Sequence, residues 1–333
     1  VPRGEGRRVA SAVLNLLRPK PFRGDVVAAG VVVLTTLVWT VGVRFTWAWG
    51  AGVHLVVAAV ACAFVTTIAV LASMEGDEPR AYQSVLYVAA VALFLDAVVR
   101  LARLLISGGG SAGTTAWVAA AVAVFALAFA TRRNSAVSTL LGSLAGGIAL
   151  LGTVEWIWSP TGVATDRWVL LALLVIYGFA AIGQRDRRLR HGVALIDAAG
   201  LATVAIGLTF MPRVLAPVVL EIPQAEGLTD VVTRVQVASW GWELLILTVG
   251  FGLIAYSSVD RQPGPAYLGV LNLITFTLIT SLEVSDQGAT LLGWPLVLAG
   301  AAVFLLAIGL RPTTPAPSPP DIDAPEPPPL PLR

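Results

Sequence analysis

Charge is what this sequence has least of. Lys, Arg, Asp and Glu together make up 13% of the 333 residues, against 56% hydrophobic. A water-soluble domain carries about 25% charged residues, so that class is excluded and a chain crossing a bilayer many times is implied. Cysteine is almost missing. Cys62 stands alone in an apolar run, which excludes an intrachain disulfide and a thiolate metal cluster. Histidine occurs only at His54 and His191, with predicted positions on opposite sides of the membrane. No HExxH is present, so a zinc-protease site is not supported. His191 and Asp197 have five residues between them rather than four, and no GxSxG elbow accompanies His54. No enzyme activity, metal or cofactor is expected. Lysine is reduced to Lys20 against 21 arginines, the balance of a GC-rich bacterial genome, and a bacterial plasma membrane is the expected location. A formal charge of +2 leaves no footprint for nucleic acid.

What the sequence has in quantity is long apolar runs. Ten are expected as helices, near 26–43, 51–73, 82–105, 115–131, 136–158, 168–184, 192–212, 238–258, 266–283 and 290–310. In lipid a backbone must satisfy its own polar groups, which makes each run a helix. Most connections are short, so neighbours run antiparallel. The expected fold is an all-α polytopic bundle occupying 25–311, and no polar block is long enough to fold alone. Residues 1–24 hold five arginines and Lys20, with Val9, Val13, Leu16 and Leu17 on one helical face. This reads as a short amphipathic helix on the membrane surface. It does not lead into a cleavable signal, because no apolar stretch with a small-residue cleavage site follows closely. Residues 312–333 contain ten prolines and read as an extended or disordered cytoplasmic tail.

Orientation comes from arginine. With the N-terminus inside, Arg132–Arg133, the run Arg185 to Arg190 and Arg261 face the cytosol, as the positive-inside rule requires. Arg44, Arg167, Arg213 and Arg234 count against it. Both termini are then cytoplasmic. The aromatics give a second test. All ten tryptophans fall at or near predicted outer ends, and all five tyrosines on predicted inner halves. One missed span would scramble that sorting.

Charge inside a span is costly and marks sites or pairs. The run Ala81 to Ile106 carries Asp96, Arg100 and Arg103, spaced four and seven apart and so on one helical face. Asp96 lies ~22 Å from Ala81 at a rise of ~1.5 Å per residue, past the middle of the hydrocarbon. Arg103 is close enough to the outer interface to snorkel. Asp96 with Arg100 has two readings: a pair joining helices, or part of a substrate site. If His54, Glu155, Glu243 and Glu283 converge with them, the result is an outward polar pocket ringed by tryptophan. Asp197 and Asn272 lie in inner halves and either line a path or hydrogen-bond between helices.

Other features have plainer readings. GGGSAG (Gly108 to Gly113) matches a dinucleotide fingerprint in letters only, because no strand precedes it. Gly142, Ser143, Gly146 and Gly147 form a small-residue face that suits close packing, internal or with a second subunit. In the long loop 213–237, Leu228, Val231, Val232 and Val235 form a stripe, read as an interfacial helix.

Glu283, Gln287 and the run LLGWPLVLAG (Leu291 to Gly300) resemble the end of drug/metabolite transporter superfamily chains. Leu282 stands where a glycine is usual, and the proline usual before the glutamate is missing. The chain also resembles actinobacterial multi-pass membrane proteins. The first resemblance implies two inverted five-helix halves and a permease that moves a small solute. The charged and polar residues read above, Asp96, Arg100, His54, Glu155 and Glu243, are the candidate substrate-binding residues of such a permease. The alternative is a non-catalytic scaffold or accessory subunit. Its expected partners are the lipid bilayer and a second copy or another membrane protein.

Overall fold

The computed structural model describes residues 23–44, 50–72, 79–106, 111–160, 162–210 and 238–287. Residues 1–22 of the basic segment, the 213–237 loop, the span at 290–310 and the tail at 312–333 lie outside the described residues. Compact clustering divides the chain into Val1–Ile279 and Thr280–Arg333. Of the second unit, only residues 280–287 are described, and they continue the last described helix. The packing below is that of the first unit.

Among the described residues there are nine helices and no strand. They are α1 (Gly24–Arg44), α2 (Ala51–Leu71), α3 (Ala81–Leu105), α4 (Ala112–Arg132), α5 (Ala136–Trp158), α6 (Ala164–Arg185), α7 (Leu189–Leu208), α8 (Trp240–Asp260) and α9 (Pro263–Gln287). All nine are long and apolar enough to cross a membrane. At ~1.5 Å per residue they span roughly 30 Å or more, the thickness of the hydrocarbon. The fold is therefore the expected all-α polytopic bundle. The tenth span, and with it any pair of five-helix halves, falls outside the described residues.

Helix ends overrun the apolar runs by up to four residues, because capping rather than apolarity sets them. Ser111 accepts from the Thr114 N–H at 3.2 Å, and Ser135 accepts from the Ser138 N–H at 3.3 Å. At α3 the Gln83 carbonyl reaches back to the Arg80 N–H at 2.9 Å. Pro263 opens α9, where its missing N–H costs nothing. α7 stops at Leu208, four residues short of the expected end.

Packing advances by hairpins. α2 with α3, α4 with α5, and α6 with α7 are the most extensive pairs, and α1 with α3, α3 with α5, and α5 with α7 join one hairpin to the next. Between α3 and α4 an aromatic ladder runs from Phe94 stacked on Phe125 (4.2 Å) to Phe129 and Tyr87. Elsewhere glycine permits contact with no side chain between. A Cβ at Gly152 of α5 would lie 3.0 Å from the Ala116 nitrogen of α4, and one at Gly269 of α9 would lie 2.7 Å from the Gly250 oxygen of α8. The small-residue face of α5 packs internally at two of its glycines. Gly142 meets Leu127 of α4 and Gly147 meets Tyr177 of α6, while nothing lies within 4 Å of Gly146.

Contacts between helix ends also establish the two sides. Trp156 lies against Gly113, and Trp168 meets Trp242 at 5.4 Å, so α4, α6 and α8 begin where α5 ends. Arg133 reaches the Val70 carbonyl, and Arg185 pairs with Asp260 at the opposite ends. The seven tryptophans within the described residues belong to the first side, and the arginine-bearing turns at 133 and 185–188 to the second. These are called the tryptophan side and the arginine side below.

Gly269→Ala is expected to destabilise the protein by about 1–3 kcal/mol, since its methyl meets backbone rather than a yielding side chain. Gly146→Ala, with open space around it, is expected to be neutral or stabilising by up to about 1 kcal/mol. Thermal unfolding of the two variants in one detergent checks both.

Candidate functional site

α7 is the most enclosed of the described helices. Its sequence, LRHGVALIDAAGLATVAIGL, puts Gly or Ala on every face, and His191, Ala198, Gly200, Thr203 and Gly207 are all buried. Such a helix suits a position surrounded by others. α5, α6 and α8 pack on it, and α9 meets it along a line of small residues. On that line Asp197 lies against Gly264, where a Cβ would stand 2.9 Å from Asp197 Oδ2. One turn on, Asn272 Nδ2 donates to the Gly200 carbonyl at 3.2 Å and to the Leu268 carbonyl at 2.8 Å. Farther along, Gly207 accommodates Thr275.

This seam holds acceptors that lack donors. Asp197 Oδ1, Asn272 Oδ1 and Asp260 Oδ2 are buried with no hydrogen-bond partner among the described residues. Asp260 ends α8, and its Oδ1 accepts from Arg185 Nη2 at 3.0 Å. Asp197 is the ninth residue of α7 and Asn272 the tenth of α9, so they stand ~12–14 Å in from the arginine-side ends. An unpaired buried acceptor costs about 1–3 kcal/mol. On adjoining helices, Asp197 Oδ1 and Asn272 Oδ1 are acceptors that a proton, a cation or an N–H donor would complete. A fourth orphan, Tyr87 Oη, lies apart on α3. Among the described residues no three His, Cys, Asp or Glu side chains gather as a metal set.

The five residues singled out from the sequence do not share one pair of helices. Asp96 and Arg100 do meet: Arg100 Nε donates to Asp96 Oδ2 at 2.9 Å, and the pair is 12–14% exposed. The guanidinium lies on α1 where Gly42 has no side chain; a Cβ there would collide with Arg100 Nη2. The geometry is that of a pair joining α3 to α1. His54 is buried on α2, Glu155 is exposed at the end of α5, and Glu243 is buried in the first turn of α8. α3 packs on α1, α2, α4 and α5, whereas α8 packs on α7. Two cavities on the tryptophan side are lined by none of the five. The side chain of Glu283 lies outside the described residues.

Two clusters escaped the sequence reading. On the tryptophan side, buried Arg167 donates from Nε to Thr209 Oγ1 at 2.8 Å and from Nη2 to the Thr209 carbonyl at 3.2 Å, with its guanidinium 3.6 Å from the Phe210 ring centre. It closes the C-terminal end of α7, where the helix dipole is negative, and adds a cation–π contact. This explains why an arginine stands on the side where the topology rule disfavours one: it is spent on structure. On the arginine side, His191 Nε2–H donates to Asn134 Oδ1 at 2.8 Å, and Nδ1 faces the Thr139 hydroxyl at 2.5 Å. Asn134 takes a positive φ of 49° in the α4–α5 turn, so the imidazole locks that turn to α7. Neither cluster had a local motif to announce it, because each joins residues 42 to 57 apart in the chain.

Nine membrane-length apolar helices, with paired charges and capped ends, define an integral multi-pass membrane protein. No protein-family model, curated protein or solved structure matches this chain, so its site is read from its own chemistry.

Arg100→Gln is expected to cost about 1–3 kcal/mol, as it leaves the half-buried Asp96 carboxylate without its charged partner. Adding Asp96→Asn is expected to recover part of that loss. A double-mutant cycle on thermal stability measures the coupling.

Proposed function

We propose that this protein is a permease-like carrier of a bacterial plasma membrane, moving a small solute along the α7–α8–α9 seam. One observation carries the reading: Asp197 and Asn272 each hold a buried oxygen with no donor among the described residues, well inside membrane-spanning helices. Ionisable residues at such depth are rare, and the default inference is function. Acceptors in want of donors favour a solute with N–H groups, a cation, or a proton in transit. The Arg185–Asp260 pair stands at the arginine-side mouth of the seam. Arg185 is half exposed there while Asp260 is buried, so the pair opens toward solvent and acts as a gate. In this reading the arginine side is cytosolic, and no covalent step is involved. α9 also carries Glu283 and Gln287, on which the resemblance to drug/metabolite transporters rests. Asp96 and Arg100 are assigned to holding α1 on α3 rather than to the solute.

The scaffold reading has one observation in its favour. α9 meets α7 and α8 through glycines at close contact, a tight seam that suits a fixed assembly.

Proteoliposomes containing the full chain distinguish the two. Proton movement is read with an entrapped pH-sensitive dye, and uptake with labelled guanidine and sodium. Asp197→Asn is expected to lower flux at least about tenfold while raising the melting temperature, because it removes a buried carboxylate that lacks a donor. Asp96→Asn is expected to leave turnover per folded molecule within about twofold. If the wild type moves none of these probes, and a stoichiometric partner is lost on deleting residues 312–333, the scaffold reading replaces the carrier.

A further inference from the structure

A cavity of about 790 Å³ runs between α3, α4 and α5, away from the α7–α9 seam. Its walls are apolar for most of its length, with Val88 and Leu95 on α3, Val122 on α4, and Leu141 and Ile148 on α5. From Val88 to Arg103 it follows α3 for ~22 Å, reaching from the tryptophan-side interface past the middle of a ~30 Å hydrocarbon core. Polar groups are confined to one end. Among the described residues Arg103 is the only charged one that lines it, and Thr114 and Thr115 stand beside it. Unlike Arg100, Arg103 is exposed and has no hydrogen bond or ion pair among the described residues. The same end abuts the N-terminal turn of α4, the positive end of its dipole. A second cavity of about 420 Å³ adjoins the first through shared Ile106 and Thr114, and is edged by Trp117 and Trp156.

The arrangement is that of an amphiphile site: a long apolar trough, one unpaired cation at headgroup depth, and indoles beside it. We propose that this groove binds an anionic phospholipid of the tryptophan-side leaflet, with one acyl chain along α3 and the phosphate on Arg103. Charge complementarity selects this occupant. Among the described lining residues the mouth carries positive charge and no carboxylate, and guanidinium binds phosphate oxygens in pairs. Size points the same way. A single hydrocarbon chain lies within a cavity of about 790 Å³.

The test uses full-length protein in neutral detergent, titrated with fluorescent phosphatidylglycerol and with phosphatidylcholine of the same chains. Wild type is expected to prefer phosphatidylglycerol. Arg103→Gln, an exposed substitution, is expected to weaken phosphatidylglycerol about tenfold and to leave phosphatidylcholine unchanged. Ala145→Phe, which fills the groove, is expected to weaken both. Equal phosphatidylglycerol affinity for wild type and Arg103→Gln overturns the proposal. So does a different occupant. In a Cys62→Ser background, an Ala145→Cys variant that forms disulfide-linked dimers in membranes places a second copy in the groove. Crosslinking of Ala145→Cys to a cysteine introduced at Ala302 of the same chain places the last apolar run there.

Discussion

Lipid tails are as apolar as leucine, so burying apolar side chains does not hold this bundle together as it would a water-soluble one. What remains is close approach, and close approach requires small residues. α7 shows the requirement most fully. With Gly or Ala on every face it is buried all round, and it lets Asn272 of α9 reach a main-chain carbonyl at Gly200. At Gly269 and Gly250 the backbones of α8 and α9 nearly touch. Were these positions leucine, the helices would stand apart and no side chain could bridge them.

Because the helices lie so near, each buried charge is drawn into a defined arrangement. Arg100 spans to Asp96 over the bare backbone at Gly42. Arg167 closes the end of α7 and rests on Phe210. Arg185 holds Asp260. Against that background of satisfied groups, the donorless oxygens of Asp197 and Asn272 stand out. Beside these three partnered arginines, an orphan carboxylate is kept only at a cost in stability, and function is the usual compensation.

Much of this architecture was legible in the apolar runs. Nine of the ten expected spans coincide with helices, because length and hydropathy answer directly to the bilayer. The sorting of the described tryptophans to one side was equally readable, from their places at the ends of the apolar runs. Asp96 with Arg100 was readable as a pair by spacing alone. The choice between pair and substrate site was not, since it turned on Gly42, more than fifty residues away. Asp197 and Asn272 could be named as inner-half polar residues. Their missing donors could not, for an unmet hydrogen bond is a property of neighbours and not of residues. Arg167 counted only as an exception to the topology rule until Thr209 and Phe210 were seen beside it.

Three turns on the arginine side are brief: Arg133 to Ser135 joins α4 to α5, Asp186 to Arg188 joins α6 to α7, and Arg261 with Gln262 joins α8 to α9. A linker so short cannot leave one helix in the bilayer while the other waits outside it. Biogenesis must therefore proceed in twos. Each such pair is expected to enter the bilayer as one body.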